Sequence, residues 1–136
     1  MIAALDTPKV LVADLMSRPV LTIDVSESLW DAWQLLFVSG LRHLVVLDDG
    51  ECLGVISDRG ILTDLPVTAE HMAVRTIDDI LPRVPIATIR TTDTPGEAAR
   101  VMLRVASDAL PVLDPDDKLV GIVTGSDLAR LIADTP

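Results

Sequence analysis

Residues 19–48, PVLTIDVSESLWDAWQLLFVSGLRHLVVLD, recur without a gap as residues 85–114, PIATIRTTDTPGEAARVMLRVASDALPVLD. Pro19, Thr22 and Ile23 fall on Pro85, Thr88 and Ile89, Ala32 falls on Ala98, and Leu44, Val46, Leu47 and Asp48 fall on Leu110, Val112, Leu113 and Asp114. One extra residue in the acidic turn Asp114-Pro115-Asp116-Asp117 then shifts the register. Beyond it Gly54-Val55-Ile56-Ser57 faces Gly121-Ile122-Val123-Thr124. Matches that fall alike on strand, helix and turn signals mark a duplicated unit. Each copy is too short to own a good core, so the two are expected to pack on each other.

The order of elements within a copy is legible. Val20–Ile23 and Ile86–Ile89 read as short strands. Ser28 with Asp31, and Thr94 with Glu97, have capping-box spacing, and Pro95 stands at the first helical position, where its missing N–H costs nothing. Trp33, Leu36 and Phe37 then form an apolar helical face, matched by Ala99, Met102 and Leu103. Gly40 fits a helix stop. Leu44–Leu47, the turn Asp48-Asp49-Gly50 and Cys52–Ile56 make a β-hairpin, repeated by Leu110–Leu113 and Leu119–Val123. Pro111 lacks a donor and is expected at a strand start or edge. Helices over Ile61–Leu65 and Leu128–Ala133 end the copies, helical turns near Asp14-Leu15-Met16 and Asp79-Ile80-Leu81 lead into them, and residues 66–75 read as the connection. The fold class is α/β of the α+β type: tandem β-α-β-β-α repeats over residues 10–66 and 76–134, joined by 67–75.

Composition narrows the function classes. Of 136 residues, 49% are hydrophobic but only 2% aromatic, so the core is aliphatic. Twenty-one acidic against 11 basic residues leave a net charge of -10, which disfavours nucleic acid and anionic membrane as partners. The same excess still allows a small anion held by local amides and an arginine or two. Cys52 is the single cysteine, too few for an intrachain disulfide or a thiolate metal cluster, and reads as a small strand residue. His43 and His71, without clustered carboxylates, define no metal site. No stretch reaches about 18 uncharged apolar residues, and the start of the chain makes a poor secretory signal. A soluble, cytoplasmic protein is expected.

In this order and duplication, Asp14-Leu15-Met16 followed by Pro19 and Val20–Ile23, then Leu110-Pro111-Val112-Leu113-Asp114 and Gly121-Ile122-Val123-Thr124-Gly125-Ser126-Asp127-Leu128, resemble a tandem pair of CBS domains, named after cystathionine β-synthase. The resemblance covers roughly residues 10–133. It implies a pseudo-two-fold pair with two clefts between paired sheets, regulatory ligands such as AMP, ATP or S-adenosylmethionine, frequent face-to-face homodimers, and no catalysis of its own. It further implies control of a separate partner protein or of the chain's own oligomer. Carried onto this chain, it makes Asp127 the receiver of ribose hydroxyls and Thr124 a contact to sugar or phosphate. Ile122 would then lie beside the purine, and Thr88 would offer an edge contact.

The chemistry of that placement is sound, because a carboxylate can accept from both hydroxyls of a cis-diol and helix-terminal amides favour phosphate. A plainer reading is equally concrete: Thr124 and Asp127 form a capping box with no ligand at all. The first copy places Gly60 where the second has Asp127, so one good ligand site at most is expected. Arg59 beside Gly60, and the pair Arg42-His43 where the second copy has Asp108-Ala109, are candidate phosphate contacts or simply surface residues. Trp30 is a candidate oligomer contact or an edge-of-core residue. No catalytic constellation of nucleophile, base and orienting group is identifiable. Two functions remain: a sensor of an adenosine-type nucleotide, and a ligand-free interaction or scaffold module.

Overall fold

The computed structural model describes residues 10–63, 69–81 and 86–135. In chain order the elements are α1 (Val12–Leu15), β1 (Thr22–Asp24), α2 (Leu29–Ser39), β2 (His43–Asp48), β3 (Glu51–Ser57), α3 (Asp58–Thr63), α4 (Ala69–Val74), α5 (Ile77–Ile80), β4 (Ile89–Arg90), α6 (Pro95–Val105), β5 (Ala109–Leu113), β6 (Leu119–Thr124) and α7 (Gly125–Ala133). They build two compact units. One takes its described residues from 21–86, the other from 10–20 and 87–135.

In the unit of residues 21–86, β2 is the middle strand, parallel to β1 through the α2 crossover and antiparallel to β3 across the Asp49-Gly50 turn. Leu29, Ala32 and Leu36 of α2 form a buried stripe against Ile23, Leu44, Val46 and Ile56 of the sheet. Trp30 and Trp33 pack partly buried at its margin. Ser28 caps α2 by accepting the Asp31 amide at 3.0 Å.

The other unit repeats the plan, with β5 between a parallel β4 and an antiparallel β6. Ala98 and Met102 of α6 cover Ile89, Leu110, Val112 and Val123. Both hairpins carry a register shift at the same place, after Val46 and after Val112.

Four expectations are corrected. First, each unit owns a buried core, although a single repeat is too short to make one. The missing surface comes from the leading helix of the other repeat: Val12 of α1 lies in the core with Val112, and Ile77 of α5 and Leu81, which caps it, lie in the core with Val46. Secondly, Phe37 and Leu103 do not belong to the buried faces. They are 80% and 83% exposed, because the buried stripes run through Leu36 and Met102 and each next residue turns about 100° away.

Thirdly, Pro111 sits at neither a strand start nor a sheet edge but in the middle of the central strand. The matching Val45 amide donates to the Leu21 carbonyl at 3.0 Å, a bond proline cannot make. Pairing with β4 therefore begins only at Ile89, and β4 is shorter than β1. Fourthly, the connection contains α4, whose Met72 is 2% exposed and part of the first repeat's core. The expected continuation of α3 to Leu65 lies outside the described residues.

Candidate functional site

The junction of β6 and α7 is built without a loop: Thr124 ends the strand and caps the helix. Its Oγ1 accepts the Asp127 amide at 3.3 Å. In return Asp127 Oδ2 accepts the Thr124 amide at 2.8 Å and the Thr124 hydroxyl at 3.1 Å. Asp127 is only 4% exposed, the one buried charged residue among those described. Its other oxygen, Oδ1, accepts Nη2 of Arg130 one turn along the helix, at 2.5 Å. The Gly125 amide donates to the Asp108 carbonyl and ties the junction to the start of β5. Buried aliphatic surface, a helix N-terminus and a held carboxylate thus share one corner of this unit.

Ile122 lies on the strand that feeds this corner, 8% exposed and paired with Pro111. Its amide and carbonyl are also bridged to Ser17. Thr88, half-buried, precedes β4 in the same unit, on the backbone stretch that Pro111 leaves outside the ladder.

Arg42, His43 and Arg59 belong to the other unit, so the expected site residues fall into two groups. These three gather where β2 begins and β3 passes into α3. His43 pairs with Ser57, and the Asp58 amide donates to the Arg42 carbonyl at 3.2 Å. Arg42 Nε stands 3.9 Å from Asp58 Oδ2, a weak exposed ion pair that leaves its charge available to solvent. Ser57 Oγ accepts the Gly60 amide at 3.0 Å, repeating the Thr124 cap without a carboxylate in return.

Sequence reasoning missed Arg130 and Asp58. Both stand at signal distances, three residues after Asp127 and beside Arg59, but exposed charges at those spacings are common on any helix. Cys52 is half-buried, and burial pushes its thiol up, away from thiolate reactivity. No group of three or more metal-binding side chains occurs among the described residues, and none of the described helices is long and apolar enough to cross a membrane.

The architecture defines a duplicated β-α-β-β-α module, and comparison with known proteins agrees. The CBS domain family matches this chain twice, over residues 12–66 and 77–134, and the chain belongs to that family. A CBS domain-containing protein of Dictyostelium discoideum is 34% identical over 134 residues, covering 91% of this chain and 92% of the relative. A homoserine O-acetyltransferase of Methanosalsum zhilinae is 32% identical over 90% of this chain, but the match spans only 24% of that enzyme. The solved CBS domain pair of protein MJ0100, in complex with 5′-methylthioadenosine and S-adenosyl-L-methionine, is 29% identical with a TM-score of 0.74, covering 90% of this chain and 95% of that one.

Proposed function

We propose that this chain is a small cytoplasmic regulatory module that senses an adenosine-type ligand at the Thr124/Asp127 junction and alters a partner protein or its own homodimer. The observation that carries the reading is the Asp127 carboxylate, held 4% exposed at a helix N-terminus beside half-buried Thr124 and buried Ile122. A cap alone needs no burial, since Ser28 and Thr94 cap α2 and α6 with exposed acids at the third position. The MJ0100 pair was solved with 5′-methylthioadenosine and S-adenosyl-L-methionine, which supports an adenosine-type ligand here, S-adenosylmethionine itself or a nucleotide such as AMP or ATP. Thr88 follows Ala87, whose carbonyl can receive no bond from Pro111, and offers a hydroxyl suited to the edge of a base. Arg42 and Arg59 supply positive charge, and His43 a ring N–H donor, for phosphate groups in the unit that lacks the carboxylate.

A signal requires the ligand to bind one conformation or assembly better than another. No reaction is assigned to the chain. The acetyltransferase likeness covers about a quarter of that enzyme and gives this chain no chemistry.

The second reading is a ligand-free interaction module. It is favoured by Gly60, which provides no carboxylate in the first repeat, and by the capping partners Asp127 already has. Calorimetric titration with AMP, ATP and S-adenosylmethionine, repeated on Asp127→Ala, separates the two. Submillimolar binding that Asp127→Ala weakens by about tenfold or more supports the sensor. Silence with all three ligands leaves the interaction module. Binding unchanged in Asp127→Ala removes the site from this junction.

A further inference from the structure

We propose that Arg130 selects among adenosine ligands, favouring those that carry a phosphate over those whose sugar bears a thioether or sulfonium. The inference rests on reading the Thr124/Asp127 junction as a ligand site and gives that site its specificity. A carboxylate has about four lone-pair positions, two on each oxygen. On Asp127, Oδ2 receives both the amide and the hydroxyl of Thr124, and Oδ1 receives Arg130. One position is left, whereas a cis-diol needs two.

A sugar can engage the carboxylate fully only by displacing one of these donors. Displacing Thr124 would undo the cap of α7 and unseat a buried side chain. Arg130 is the group that can leave, because its side chain is 69% exposed and reaches Asp127 from one turn away.

A released guanidinium seeks an oxyanion, and a phosphate accepts its fork of donors well. A ligand that brings a phosphate on the same sugar restores to Arg130 the partner its diol removes. A neutral thioether restores nothing, and a sulfonium adds a like charge. The net charge of -10 on the chain repels phosphate in general, so a local cation beside the diol site decides which nucleosides stay.

Calorimetric titration of wild type, Arg130→Gln and Arg130→Lys with AMP and with 5′-methylthioadenosine tests this. Wild type is expected to prefer AMP. Arg130→Gln is expected to weaken AMP by about tenfold and to tighten 5′-methylthioadenosine, while Arg130→Lys keeps the order with a smaller margin. Thermal melts establish that each variant is folded. If both ligands bind but their ratio is unchanged in Arg130→Gln, the selecting role is overturned and the ligand site stands. Equal losses for both ligands make Arg130 a mere support of Asp127, which also overturns it. No binding of either ligand to wild type overturns the site and this inference together.

Discussion

Gly40 and Ala106 close α2 and α6 in the same left-handed turn, with φ of 72° and 55°, and each donates its amide to the carbonyl four residues back. The position suits glycine, because a Cβ in this region crowds the backbone. The second repeat has alanine there, exposed and making no contribution to the core. Ala106→Gly is therefore expected to stabilise the protein by about 0.5–1 kcal/mol, and Gly40→Ala to cost about 1 kcal/mol. Urea denaturation of the two variants checks both signs. Destabilisation by Ala106→Gly would show that the flexibility added to the unfolded chain outweighs the relief of strain.

Gly121 and Gly54 mark where the leading segments press on the hairpins. A Cβ on Gly121 would stand 2.7 Å from Met16 Sδ and 3.0 Å from the Ser17 carbonyl, which is bonded to the Ile122 amide. A Cβ on Gly54 would meet only Leu81, at 3.2 Å from Cδ1, the end of a side chain that can shift. Gly121→Ala is expected to cost about 1–3 kcal/mol and Gly54→Ala less than about 1. Met16→Ala added to Gly121→Ala restores only part of the loss, since the carbonyl contact remains. Chemical denaturation of the three proteins measures it, and equal costs at the two glycines would refute the asymmetry.

Much of this packing was legible in the sequence, and the failures share a cause. The repeat, the hairpins, the caps of α2, α6 and α7 and the stop at Gly40 rest on local residue chemistry, which a linear reading captures. The α6 stop was invisible because Ala106 carries no turn signal. Phe37 and Leu103 are apolar yet exposed, because helix rotation and not hydrophobicity decides which apolar residue faces inward. The partners of α1 and α5 lie in the other repeat, a relation set by chain tracing rather than by periodicity. At the site, the sequence shows Thr124 and Asp127 as a box. It cannot show that Arg130 takes the remaining carboxylate oxygen, because that depends on a rotamer.

Glu27 gives the first unit a pH-dependent term. A hydrogen bond with Asp31 and the nearby negative charges of Asp31 and Asp24 raise its pKa above the ordinary 4.5. The fold thus favours the protonated acid. That stabilisation is fully present below the ordinary value and is lost as pH rises through the raised one. Asp24 acts oppositely, because bonds from the Ser26 hydroxyl and amide lower its pKa, so its contribution is lost as pH falls through that lowered value. Glu27→Gln should therefore be more stable than wild type near about pH 7, with the advantage gone below about pH 4. Thermal melts across that range test it, and a gain that persists in acid would rule out charge repulsion as the cause.

Gly60 can accept the carboxylate that its repeat lacks. Its amide already donates to Ser57 Oγ, and an added Cβ would meet only that oxygen, at an ordinary 3.4 Å. Gly60→Ala should stabilise α3 by about 0.5–1 kcal/mol through helix propensity alone. Gly60→Asp should do better, because its side chain can return a bond to the Ser57 amide as Asp127 does to Thr124. If a carboxylate at this corner reads a sugar diol, Gly60→Asp also raises the number of AMP molecules bound per chain from one to two. Gly60→Ala leaves the stoichiometry at one. Arg42 and Arg59, at the same corner, favour a phosphate-bearing ligand over a neutral one there. Calorimetry on the two variants reads stoichiometry directly. A stable Gly60→Asp protein that still binds a single AMP would show that the second-repeat junction owes its ligand to more than the buried carboxylate.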